Sequence, residues 1–138
     1  MSRPVVIPLL NRVELNGSYL GATTARTITL PTIDVTPFFY ATLILRVHEA
    51  TWSGGTPAKF KIEGFASYPS KEDAREFVEA TNALSAELTS SDSLPAPKSA
   101  TTSNLAMAYK FVATLTQGST AQAALFVVAS AELLLRPA

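Results

Sequence analysis

The alternation of apolar and polar side chains in residues 39–52 constrains the fold more than any other feature of this sequence. Successive side chains of a β-strand point to opposite faces, so an alternating run predicts a strand with one buried face. One face carries Phe39, Ala41, Leu43, Leu45 and Val47, and the other carries Tyr40, Thr42, Ile44, Arg46 and His48. The run therefore predicts a long strand that packs its first face in a core.

A second alternating run, residues 59–67, predicts another strand of the same kind. Phe60, Ile62, Gly64 and Ala66 share the face that we expect to be buried. Between the two runs, residues 53–57 (SGGTP) combine glycines that tolerate a positive φ with a proline that cannot donate to a strand ladder. We therefore expect a turn here that joins the two strands as a hairpin.

Shorter patterns predict the remaining elements. Strands are expected at residues 12–15, 26–35, 84–89, 105–116 and 123–135, with residues 116–120 as a hairpin loop between the last two. Residues 90–103 hold Pro95, Pro97 and many hydroxyl side chains, which is typical of a surface loop. Residues 70–76 predict one short helix, because Ser70 can cap it and Asp73 stands at the third position of a capping box.

These patterns predict an all-β fold, a single antiparallel β-sandwich, jelly-roll-like, with about seven to eight strands and one short helix near residues 70–76. The length of 138 residues is typical of one domain, so residues 1–138 are expected to form a single unit. The chain has no cysteine, so packing must stabilise it without disulfides.

Residues 1–37 suggest a possible extended arm plus edge strands, because they are poor in charge and contain four prolines. Apolar side chains that left the domain would need cover from a neighbouring subunit. The alternative is that the segment contributes strands to its own sheet. The interface candidates are Val5, Val6, Ile7, Leu9 and Leu10, together with Trp52 beside the predicted turn. Trp52 and five other aromatics fit either a sugar- or protein-binding surface or the core: Phe38, Phe39, Tyr40, Phe65 and Tyr68.

Composition and motifs exclude several functions. Eleven basic and eleven acidic residues balance, so nucleic acid is not an expected partner. We find no signal peptide, no membrane-spanning segment and no motif for a cofactor, a metal ion or a small-molecule substrate. His48 is the single histidine and no G-x-S-x-G motif accompanies it, so no catalytic residues are predicted and the chain is not expected to be an enzyme.

Acidic residues are concentrated in residues 63–92, with seven carboxylates against two basic side chains between Glu63 and Asp92. Such polarity can orient identical subunits head to tail. A solvated face is the simpler interpretation, since charged runs usually face water.

One stretch of the sequence resembles a known class of proteins. Residues 77–89 (FVEATNALSAELT), which follow residues 71–73 (KED) and precede the strand-rich end at residues 131–136 (AELLLR), are similar to small β-sandwich structural proteins of tailed phages and phage-like particles. The resemblance extends loosely over residues 38–136. It implies a virion subunit, such as a capsid decoration, minor capsid or head–tail component, that acts without catalytic residues.

Two functions follow as hypotheses. The first is a structural subunit of a phage or phage-like virion, made in the host cytoplasm, whose partners are copies of itself and other virion proteins. The second is a carbohydrate- or surface-binding β-sandwich module, because this architecture hosts many binding sites.

Overall fold

The computed structural model describes residues 3–16, 25–51, 58–67, 84–89, 92, 96–103, 105, 108–116 and 125–137. Within these residues the chain forms eight β-strands. They are β1 (Val5–Asn16), β2 (Ala25–Asp34), β3 (Tyr40–Thr51), β4 (Lys59–Ser67), β5 (Ser85–Thr89), β6 (Ala96–Thr102), β7 (Ala108–Thr116) and β8 (Phe126–Arg136). The all-β prediction is confirmed, and no described helix is long and apolar enough to cross a membrane.

The strands form two antiparallel four-stranded sheets. Sheet A has the order β1-β8-β3-β6 and sheet B has the order β2-β7-β4-β5. The first strand pairs with the eighth, the second with the seventh, the third with the sixth and the fourth with the fifth. The chain therefore has the topology of one long antiparallel hairpin that is folded over. The pairing of β3 with β8 joins the strand pairs of sheet A, and the pairing of β4 with β7 joins those of sheet B.

The core lies between the sheets, because every second side chain of the central strands is buried. Strand β3 buries Ala41, Leu43, Leu45 and Val47, and strand β4 buries Phe60, Ile62, Gly64 and Ala66. These are the faces that the alternation predicts, apart from Phe39, which lies before β3 and is exposed. The buried faces of both sheets join in one hydrophobic cluster, and each large side chain in it contributes roughly 1.5–3 kcal/mol.

Two predicted hairpins are wrong. Strands β3 and β4 lie in different sheets, and so do β7 and β8, so neither pair shares a ladder. Alternation shows which side chains a strand buries, but both edges of a strand can pair equally well and the pattern does not choose between them.

The predicted loop at residues 90–103 is also wrong, because it contains strand β6. Pro97, Lys98 and Ser99 are all exposed, so this strand has no alternation that the sequence could show. It pairs on one side only, with β3, and an edge strand tolerates a proline because one row of its backbone groups needs no partner. The predicted helix at residues 70–76 and Trp52 lie outside the described residues.

The amino-terminal segment is part of its own sheet. Strand β1 begins at Val5 and pairs with β8 from Val5↔Leu135 to Asn16↔Phe126. Strands β1 and β2 are both edge strands, one in each sheet. The described residues of the 1–37 segment thus contribute an edge strand to each sheet.

Candidate functional site

The exposed large apolar side chains gather at one end of sheet A. Among the described residues they are Val5 (40% exposed), Val6 (54%), Phe39 (57%) and Tyr40 (46%). The β1–β8–β3 register brings the start of β1 and the start of β3 to the same end of β8. We call these four residues the apolar corner. Grouped exposed apolar side chains mark interaction surfaces in proteins.

A turn and a ladder bond hold the aromatic half of the apolar corner. The Phe38 N–H donates to the Val35 carbonyl at 3.0 Å, and the Phe39 N–H donates to the Arg136 carbonyl at 3.0 Å. The carboxylate of Asp34 accepts from both the hydroxyl and the N–H of Thr36. These two bonds hold the pKa of Asp34 below its usual value, and the bond from the hydroxyl makes the larger contribution. The path of the chain into β3 is therefore fixed.

The predicted interface residues divide into two groups. Val5 and Val6 are exposed at the apolar corner, whereas Leu9 and Leu10 are buried in the core of the same chain and Ile7 packs partly against it. Trp52 lies outside the described residues. The sequence left the consecutive aromatics Phe38, Phe39 and Tyr40 open between a binding surface and the core, and the structure exposes Phe39 and Tyr40.

Three shallow depressions lie on the outward face of sheet A, and residues of β3 line each of them. The first, of about 480 Å³, is lined by Tyr40, Thr42, Thr101, Arg136 and Pro137. The second, of about 340 Å³, is lined by Thr42, Ile44, Pro97, Lys98, Ser99, Leu134 and Arg136. The third, of about 230 Å³, is lined by Pro8, Leu10, Asn11, Ile44, Arg46, His48, Ser130, Ala131 and Glu132.

Hydrogen bonds in the third depression join three strands. Ser130 Oγ on β8 lies 2.8 Å from His48 Nε2 on β3, and it accepts from the Arg12 N–H on β1 at 3.0 Å. Arg12 has a φ of 48°, in the left-handed region, where β1 bulges away from a regular register. Arg46 and Glu132 form an ion pair beside this cluster at 3.3 Å.

The contact between His48 and Ser130 has the length of a contact between a base and a nucleophile. A catalytic arrangement also needs a group that orients the histidine and donors that stabilise an oxyanion. The carboxylate in this depression, Glu132, pairs with Arg46 rather than with His48. The Arg12 N–H is directed at the serine oxygen itself. The described geometry thus links strands, and sequence reasoning did not identify Ser130 as the partner of His48.

Ionisable side chains elsewhere do not form a metal site among the described residues, where no group of three potential ligands comes together. Of the acidic residues in 63–92, Glu63 pairs with Lys61 at 2.9 Å and Asp92 with Lys98 at 3.8 Å. Residues 72, 73, 76 and 79 of that segment lie outside the described residues.

No family model matches the chain, and no curated protein matches it in sequence. Its fold is similar to that of VP2 in the crystal structure of an infectious bursal disease virus subviral particle, with a TM-score of 0.54 and 16% identity. The match covers 96% of this chain and 32% of VP2, so the chain spans about a third of that protein. A structure of the Gx strain of the same virus matches at a TM-score of 0.46 and 14% identity, covering 96% of this chain and 33% of the other.

Proposed function

We propose that this chain is a structural subunit of a virus particle and acts by assembling with copies of itself and with other virion proteins. The observation that carries the proposal is the fold. The first strand pairs with the eighth, the second with the seventh, the third with the sixth and the fourth with the fifth, in two four-stranded sheets, and this pairing supports an eight-stranded jelly roll. Viral capsid domains use this architecture, and VP2 shares the fold over 96% of the chain.

The apolar corner supports assembly as the mode of action. Val5, Val6, Phe39 and Tyr40 expose apolar surface that an isolated chain leaves in water, and a partner subunit would cover it. The zero formal net charge adds little repulsion between copies. Within this class we propose a phage or phage-like virion, on the resemblance carried by residues 77–89, with a place as a decoration, minor capsid or head–tail component.

We also propose that the chain has no catalytic function. Among the described residues, Ser130 and His48 most resemble a pair of nucleophile and base, because Ser130 Oγ lies 2.8 Å from His48 Nε2. Their neighbours support a linking role, because Ser130 also accepts from the backbone of β1 and Glu132 is engaged by Arg46.

The mass of the purified full chain tests the proposal. We expect light scattering coupled to size exclusion to give a mass several times that of one chain, rising with concentration, and electron microscopy to show rings, tubes or closed particles. Subunits of symmetric assemblies behave in this way because the same surfaces recur on every copy. A protein that stays monomeric at all concentrations would contradict the proposal and leave the carbohydrate-binding alternative.

A further inference from the structure

We infer that the outer face of sheet A carries a binding site for acidic saccharides, centred on Arg136. The first and second depressions meet at Thr42 and Arg136, which line both of them. Together they form a strip across β8, β3 and β6 that we call the Arg136 cleft. Its polar and aromatic lining is Tyr40, Thr42, Lys98, Ser99, Thr101 and Arg136. Tyr40 belongs to both the Arg136 cleft and the apolar corner, so a bound saccharide and a partner subunit would compete for its side chain.

Strand register sets the order of groups in the Arg136 cleft. Tyr40 lies opposite Arg136 across the β3–β8 ladder, and Thr42 lies opposite Thr101 across the β3–β6 ladder. The Thr42 and Thr101 hydroxyl oxygens are 3.0 Å apart and share a hydrogen bond. An aromatic ring, a guanidinium group and a pair of hydroxyls therefore lie side by side on one surface.

The charge of the Arg136 cleft is one-sided. Among the described residues, Arg136 and Lys98 are its charged lining residues and no carboxylate side chain lines either depression. Among the described residues, Arg136 forms no ion pair, whereas Arg46 is neutralised by Glu132. Lys98 lies 3.8 Å from Asp92, with both side chains partly exposed, which is a weak pairing. In a chain of zero formal net charge, this is a local positive surface.

These groups match the chemistry of a sugar that carries a carboxylate or a sulfate. The planar guanidinium of Arg136 can donate two parallel hydrogen bonds to either anion. The hydroxyls of Thr42, Thr101 and Ser99 can both donate to and accept from sugar hydroxyls. Tyr40 is 46% exposed, and an aromatic ring offers a flat apolar surface on which the C–H face of a sugar ring can pack.

Nucleic acid fits the same surface less well. Its binding depends on neutralising several phosphates in a row, and the Arg136 cleft offers two cations, one of which is partly engaged. An acidic saccharide needs one anionic group at Arg136 and uses hydroxyl and ring contacts for the rest. The inference is therefore an acidic saccharide, and an oligonucleotide serves as a competing probe.

The test is calorimetric titration of the full chain with 3′-sulfated lactose, with sialyllactose and with neutral lactose. The sulfated and carboxylated probes distinguish the two sources of the anion. We expect at least one acidic probe to bind and lactose not to bind measurably. We expect Arg136→Gln to weaken binding about tenfold or more, because it removes charge-assisted hydrogen bonds, and Arg136→Lys to recover part of the loss because it keeps the charge.

The matched control is Lys59→Gln, which removes one positive charge from an exposed position on β4 of sheet B. We expect this variant to bind the acidic probe within about twofold of the original protein, since Lys59 lies on the other sheet and salt screens interactions between distant exposed charges. Thermal melting of each variant confirms that it is folded. The inference is overturned if no acidic probe binds, if lactose binds equally well, if Lys59→Gln loses as much as Arg136→Gln, or if a single-stranded oligonucleotide binds more tightly through Arg136.

Discussion

Ser130 shows how a single hydroxyl organises the outer surface of sheet A. Its oxygen contacts a histidine on β3 and accepts from a backbone N–H on β1, so it joins the central strand β8 to both of its neighbours. The β1 partner is Arg12, whose φ of 48° costs a non-glycine residue roughly 1–2 kcal/mol. The hydrogen bond to Ser130 offsets part of this cost and holds the bulge of β1 in place.

We predict that Ser130→Ala lowers the free energy of unfolding by about 1 kcal/mol, because both partners lose a hydrogen bond. The control is Ser99→Ala, at an exposed position on β6, for which we expect a change within about 0.5 kcal/mol. Urea denaturation measures both. A double-mutant cycle with His48→Ala should show a coupling energy between the two side chains. Equal stability of Ser130→Ala and the original protein would show that the cluster links nothing.

For a single residue, the sequence predicts which face of a strand its side chain occupies but not which residue that side chain contacts. Alternation correctly places His48 on the outward face of β3, where the structure finds it half-buried. Ser130 is 82 residues away along the chain, and nothing in either local pattern indicates that they meet. The contact depends on β3 pairing with β8, which is a property of the whole sheet.

Among the elements, β4 depends most on one small residue. Gly64 lies opposite Phe111 on β7, and its N–H donates to the Leu84 carbonyl at 2.6 Å. A Cβ atom at Gly64 would lie 2.9 Å from Phe111 Cε1 and 3.1 Å from the Leu84 oxygen. The aromatic ring thus occupies the space that a side chain would take, and the absence of a Cβ lets the segment before β5 approach.

We predict that Gly64→Ala lowers the free energy of unfolding by about 1–3 kcal/mol, as overpacking does in a close-packed core. At most strand positions, replacing glycine with alanine is expected to raise the free energy of unfolding, because alanine loses less entropy on folding. Combining Gly64→Ala with Phe111→Leu should make the pair less destabilised than the sum of the single changes, since the ring edge is one of the two obstacles. Increased stability of Gly64→Ala would contradict the close contact.

The strands that alternate regularly between buried and exposed positions were predictable, whereas β6 was not. Strands β3, β4, β7 and β8 each alternate between buried and more exposed positions, and all four were predicted. Strand β6 was missed because Pro97, Lys98 and Ser99 are exposed in succession. A strand that pairs along one edge and covers little of the core leaves no periodic signal in its sequence.

In the whole molecule, the class of fold followed from the sequence but the strand pairing did not. The alternating runs establish two-layer packing of β-strands, because each strand must bury one face. They do not establish that the fourth and fifth strands form the tip of a folded hairpin, since any antiparallel arrangement buries the same faces. The two predicted hairpins failed for this reason, and the apolar corner could not be seen before β1, β8 and β3 were placed side by side.

The apolar residues of β1 have two separate roles in the structure. Val5 and Val6 are exposed at the apolar corner, whereas Leu9 and Leu10 are buried in the core. The sequence assigns all four to one apolar run, so it could not divide them. A partner subunit can cover the first pair, but the second pair already packs within its own chain.

We therefore predict that substitutions in β1 separate association from stability. Leu10→Ala should lower the free energy of unfolding by about 2–5 kcal/mol, because it opens a cavity in the core. Those Leu10→Ala chains that remain folded should assemble to the same mass as the original protein. Val6→Asp should change stability by about 0.5 kcal/mol or less, as expected for an exposed position, while it shifts the assembly towards single chains because a charge is costly in a buried interface. Denaturation and light scattering on the same samples measure the two effects.

The control for Val6→Asp is Thr27→Asp, which places the same charge at an exposed position on β2, the edge of the other sheet. If Thr27→Asp reduces the mass as much as Val6→Asp, the added charge itself opposes association and the apolar corner has no special part in it. If Val6→Asp unfolds the chain, Val6 belongs to the core despite its 54% exposure. Loss of assembly in Val6→Asp alone, with an unchanged melting temperature, requires that Val6 is covered only when subunits meet, because a contact made with a partner contributes to association and not to the stability of the single chain.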